Sequence, residues 1–115
     1  MDLSIRIDDG DRLRCTIDDG GRTAVLYASD KESALEQLIA ALDETSRTGC
    51  GECVWPTEFG DYWWTFRRQD DDLLVVALRS GGTLTGWEQL LRAESAFEPF
   101  ADHVRAAVAR ARQPT

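Results

Sequence analysis

The chain has 115 residues, 43% of them hydrophobic and 30% charged, and a formal net charge of −8 from 21 acidic and 13 basic side chains. Residues 1–61 carry 14 acidic and 6 basic side chains while residues 62–115 carry 7 of each, which argues against nucleic-acid or anionic-membrane binding, since both need clustered Lys and Arg. This length supplies one hydrophobic core, burying about 65–70% of the unfolded chain's surface, and four Trp and four Phe argue against disorder.

Apolar and polar residues alternate from the start: Leu3, Ile5 and Ile7 share one face against Ser4 and Arg6, and Leu13, Cys15 and Ile17 share one against Arg12, Arg14 and Thr16. Both runs read as half-buried strands. A third run, TAVLY at 23–27, completes a three-stranded meander. The connections are two near-identical hexapeptides, IDDGDR (7–12) and IDDGGR (17–22), whose Asp-Gly pairs suit tight hairpin turns that need positive φ. In a meander the two turns lie at opposite ends of the sheet, on the order of 20–25 Å apart, too far to share a metal. Each alone lacks the oxygen-ligand series of a calcium loop. The Asp residues therefore read as solvated.

Ser29 followed by Glu32 forms a capping box and predicts a helix over 30–46, with Leu35, Leu38, Ile39 and Leu42 as its apolar stripe and Gly49 to end it. Glu32, Glu36 and Asp43 line one flank as an acidic edge. After a loop, TGCGECVWPTEFG, the segments DYWWTFRR (61–68) and LLVVALR (73–79) read as a second hairpin joined by QDDD. Two further capping boxes, Thr85 with Glu88 and Ser95 with Glu98, predict a short helix near 86–94 and a longer one near 96–112. In the longer helix Phe97, Phe100, Val104 and Val108 share a face. The order βββα then β(β)βαα gives a single α+β domain over 1–115, an antiparallel sheet of five to six strands with helices mainly on one face.

The second hairpin is apolar on both faces. Leu73, Val75 and Ala77 oppose Leu74, Val76 and Leu78, and Tyr62, Trp64 and Phe66 oppose Trp63. Such strands want cover on both sides. Either the 86–94 helix or the N-terminal strands supply it, or a patch around Trp63, Leu74 and Val76 is left for a partner, a ligand or a second copy of the chain.

Chemistry is sparse. CGEC (50–53) follows a helix end and encloses Glu52, which raises thiol pKa, so thioredoxin-like redox chemistry is disfavoured. As zinc ligands these cysteines are half a set, completed only by Cys15 and His103. Cys15 falls on the core-facing side of its strand and His103 lies off the apolar stripe of its helix, so packing and solvation are the simpler readings. A nucleophilic pair would have to use this one histidine, and no GxSxG elbow accompanies a serine. SGGTLTG (80–86) lacks the spacing of a phosphate loop.

Without an assembled catalytic constellation, the expectation is a non-enzymatic interaction protein that docks on a basic protein, in the manner of an inhibitor or immunity protein. Its candidate contacts are Glu32, Glu36, Asp43, Asp61, Trp55 and Trp63. The alternative is a small-molecule or metal-binding domain, monomeric or homodimeric, that uses the aromatic sheet face or the CGEC loop, and a homodimer through the Trp63 face competes with both. No apolar run is long enough to span a bilayer, the start MDLSIRIDD does not resemble a signal peptide, and an odd cysteine count suits a reducing compartment. A cytoplasmic location is expected.

Overall fold

Strands β1 (Asp2–Ile7), β2 (Leu13–Asp18) and β3 (Thr23–Ala28) pair antiparallel in the order of the chain, with Leu3 opposite Ile17 and Cys15 opposite Leu26. The computed structural model describes residues 1–8, 10–80 and 86–113. As the alternation predicts, Leu13, Cys15 and Ile17 are fully buried. The two Asp-rich clusters form the turns at opposite ends of this sheet. In the second, the Asp18 carboxylate accepts the Gly20 N–H at 2.7 Å, and the Asp19 carboxylate accepts those of Gly21 (2.9 Å) and Arg22 (2.7 Å). These bonds from Gly21 and Arg22 hold the Asp19 carboxyl below its ordinary range. The acids fold onto their own turn, as Asx turns do. Of the first cluster, Asp9 lies outside the described residues.

Helix α1 (Lys31–Thr48) extends the predicted range by two residues at its C-terminal end and stops at Gly49, whose φ of 91° suits glycine and whose N–H reaches the Thr45 carbonyl. Its N-cap is Asp30, not Ser29: the Asp30 carboxylate accepts the Ser33 N–H at 3.3 Å. Ser29 instead donates its backbone N–H to the Pro56 carbonyl, which ties the end of β3 to a later strand.

The second half departs from the sequence-based expectation. The CGEC segment is not a loop but the start of a strand, β4 (Cys50–Thr57), and it pairs with β5 (Gly60–Gln69). Residues 87–94 are not helical either; they belong to β7 (Trp87–Ala96), which pairs with β6 (Asp72–Ser80). Thr85, the proposed cap of that helix, and residues 81–85 of SGGTLTG lie outside the described residues. Helix α2 (Phe97–Arg112) starts at Ala96 with no side-chain cap, so the Ser95–Glu98 box is not formed. In place of one sheet of five to six strands, the described residues form a three-stranded sheet and a four-stranded sheet of order β4-β5-β6-β7, with two helices. The physical reason is that β6 has N–H and C=O groups on the edge away from β5, and pairing with β7 satisfies them where a helix over 86–94 could not.

One hydrophobic core joins these elements. From the four-stranded sheet it takes Cys53, Trp55, Tyr62, Trp64, Phe66, Leu73, Val75, Ala77, Leu91 and Ala93. Both helices lie on this inner face. The Trp55 Nε1–H donates to the Ala34 carbonyl of α1 at 3.2 Å, and Phe66 meets Phe100 of α2 with ring centroids 6.2 Å apart. Tyr62 of the same face meets Tyr27 of β3 at 5.9 Å, so the three-stranded sheet closes on this side as well.

Candidate functional site

The register of the four-stranded sheet determines what its other face carries. Because side chains alternate along a strand, Val54 of β4, Trp63 and Thr65 of β5, and Leu74, Val76 and Leu78 of β6 all point away from the core. Val54, Trp63 and Leu78 stand in one cross-strand row, and Glu52, Thr65, Val76 and Arg92 in the next. Trp87 joins them from β7, its ring centroid 5.2 Å from that of Trp63. Among the described residues neither helix packs on this face. Val54 and Trp87 are 39% and 41% exposed, whereas the inner residues Trp55 and Trp64 are fully buried. Trp63, Leu74 and Val76, the expected centre of an apolar patch, are each half-buried on this face, and residues 87–94 extend the face as a strand in place of covering it as a helix.

The tryptophan end of this face carries two acids, whereas the Leu74 end carries both signs, with Asp72 and Glu94 beside its arginines. Asp61, two residues from Trp63 on the same strand, and Glu52, diagonal to it on β4, flank the tryptophan end; Arg67 and Arg92 lie toward the end that carries Leu74. The Trp63 Nε1 is shielded from water and has no hydrogen-bond partner among the described residues. A shielded donor without a partner costs about 1–3 kcal/mol.

The other candidate contacts fall elsewhere. Trp55 is a core residue, fully buried, edge-on to Trp64 at 5.4 Å and bonded to Ala34, so it cannot serve as a surface anchor. Glu32 and Glu36 are exposed on α1 as expected. Asp43 is exposed too, but Arg105 of α2 reaches it at 3.4 Å and offsets its charge. The acidic flank of α1 is thus strongest at its N-terminal end, away from the tryptophan pair in sequence and fold.

The possible zinc ligands are not brought together. Residues three apart on a strand point to opposite faces. Cys53 accordingly faces the core and is buried, and Cys50 is exposed. Cys15 is buried, and after burial itself the neighbouring Cys53 adds to the rise of its pKa. Burial first, and the Glu52 charge second, push the Cys53 thiol up to about 12, and burial drives Cys15 well above the usual thiol range. Neither is a thiolate at neutral pH. His103 is engaged at β1, with its Nε2 2.8 Å from the Leu3 carbonyl oxygen and 3.1 Å from the Leu3 amide nitrogen, acting as donor or acceptor according to tautomer. The described residues hold no group of three or more His, Cys, Asp or Glu side chains placed to hold a metal ion.

Two of the concavities along the sheet adjoin β4 and its turn. A groove of about 430 Å³ runs between α1 (Gln37, Ala40, Ala41, Glu44) and the first half of β4. A cleft of about 270 Å³ lies among Arg12, Tyr27, Thr57, Phe59 and Tyr62. Sequence reasoning missed both, because each depends on β4 being a strand. Among the described residues, no helix is long and apolar enough to cross a membrane. Comparison of the chain with known protein families, characterised proteins and solved structures finds no match.

Proposed function

We propose that this is an acidic, non-catalytic interaction protein that docks on a basic protein partner through the outer face of the four-stranded sheet, as an inhibitor or immunity protein would. The observation that carries the reading is the Trp63–Trp87 pair, set among Val54, Leu78 and Val76 on a sheet face without helical cover among the described residues. Aromatic residues in an apolar surround are the usual anchors of an interface. The two nearest carboxylates, Glu52 and Asp61, and a net charge of −8 favour a basic surface opposite. The same charge disfavours a second copy of the chain, which would bring like against like.

The test is affinity capture from the native cells, with the wild-type chain and with Trp63→Asp. Support is a basic protein retained by the wild type, released by salt and not retained by the variant. Equal retention by Trp63→Asp counts against the proposed face. Sedimentation that shows a wild-type dimer broken by Trp63→Asp replaces the basic partner with a second copy.

A further inference from the structure

The geometry points to a second contact on the same chain: the open edge of β4 accepts an extended, Lys- or Arg-bearing segment as an added strand. The inference rests on the reading of a basic partner for the charge of that segment, and uses the backbone edge of β4, which adjoins the docking face at Glu52 and Val54.

Three observations fix which way the backbone of β4 faces. The Pro56 carbonyl accepts the Ser29 N–H, so it points away from β5. Proline at this position fits, because an edge strand tolerates a residue with no N–H on its unpaired side. At the other end, the Thr48 hydroxyl lies 3.0 Å from the Cys50 carbonyl oxygen and 3.4 Å from the Cys50 amide nitrogen, so Cys50 also faces away from β5. Backbone direction alternates along a paired strand. Hence Glu52 and Val54, at the same parity between these two, turn their N–H and C=O groups to the open edge.

The edge is closed at both ends, by Thr48 and by Ser29, and open for a short window in the middle. An exposed window of this kind is a template for strand addition. The groove along α1 lies beside it, lined by Ala40 and Ala41 and by Glu44 and Gln37. A strand added at Glu52–Val54 would set alternate side chains into that groove, against the alanines, and the others on the outer face beside Glu52. Small or medium apolar residues alternating with basic ones match both sides. A second copy pairing β4 with β4 would join two chains of charge −8, which the same electrostatics opposes.

The probe is the peptide acetyl-Lys-Val-Lys-Val-Lys-Val-Lys-amide, titrated into the whole chain and followed by amide NMR, with its Glu-for-Lys counterpart as control. Saturable shifts centred on the Glu52 and Val54 amides, absent with the acidic peptide, are expected. Val54→Pro removes one edge donor and should weaken binding by about tenfold or more. No saturable shift, equal shifts with the acidic peptide, or unweakened binding by Val54→Pro overturns the inference. Hydrogen exchange in the unliganded wild type provides a check independent of that variant's folding: rapid exchange at Val54 is expected, and slow exchange, meaning a bond to β5, overturns it. Saturable peptide shifts with equal capture by wild type and Trp63→Asp mark failure of the sheet-face proposal alone, and capture lost on Trp63→Asp without saturable peptide shifts marks failure of this one.

Discussion

Gly51 of β4 lies so close under α1 that a Cβ on it would stand 2.1 Å from the Ala41 carbonyl oxygen and 2.4 Å from the Thr45 hydroxyl. No real Cβ makes such contacts, so this glycine sets how near the helix approaches the sheet. Thr45, itself fully buried, satisfies its hydroxyl on the same Ala41 carbonyl at 2.7 Å. Gly51→Ala should therefore push α1 off β4 and cost about 1–3 kcal/mol, as overpacking does. Chemical denaturation checks it; an unchanged midpoint would mean that the helix does not sit this close.

Trp55, a candidate contact from the sequence, and Trp87, which only the structure places on the sheet face, have opposite roles. Trp55→Ala should lower unfolding free energy by about 3–5 kcal/mol, the cost of emptying a large core site. Truncating the exposed Trp87 should change stability by less than about 1 kcal/mol, yet weaken capture of the partner. Urea titrations of both variants separate core from surface.

Helix α1 offers a test of its cap. Asp30→Ala should destabilise the fold by about 0.5–2 kcal/mol, whereas loss of the Ser29 side chain should cost far less, because only Asp30 meets the Ser33 N–H. Thermal melts of the two single variants suffice. A larger loss at Ser29 would restore the capping box that the sequence suggests.

The three cysteines should divide by reactivity. Cys50 is exposed and should react with a thiol reagent at pH 8 in the native state, while Cys15 and Cys53 should react only on unfolding. Their raised pKa values also make a stability prediction. Below the ordinary thiol value of 9.0 both folded and unfolded thiols are neutral, and their contribution is complete. As pH rises from 9.0 toward about 12, the unfolded chain ionises first and stability falls. Melting the wild type and a Cys15→Ala/Cys53→Ala variant across this range should show the steeper alkaline loss in the wild type.

Periodicity made the N-terminal meander, α1, the β5–β6 hairpin and α2 legible, since each has an apolar face at its own period over several residues. It failed at β4 and β7 for different reasons. CGECVWPT carries a glycine and a proline that read as loop; both are explained only by the tertiary setting, the one by the approach of α1 and the other by the free sheet edge. WEQLLRAESA is rich in helix-favouring Glu, Leu and Ala, and its alternation is visible only from Leu91 through Ser95, where a register shift opposite Ala77 and Leu78 has already occurred. Pairing with β6 overrode local propensity there. The two-sided apolar pattern of β5 and β6 around Trp63 was legible, but the place of Trp87 beside it was not, because a helical reading removed Trp87 from the sheet. The open edge of β4 was invisible for the same reason.

The central claim is that Trp63 and its neighbours bind a basic protein. Its most direct measurement is the affinity of the purified, captured partner for wild type and Trp63→Asp, each taken from about 0.05 to about 0.5 M NaCl. Wild-type affinity should fall steeply over this range, and the variant should bind at least about 30-fold more weakly at every salt, a loss of about 2 kcal/mol that marks an anchor. Equal affinity of the two proteins, or binding indifferent to salt, would contradict it.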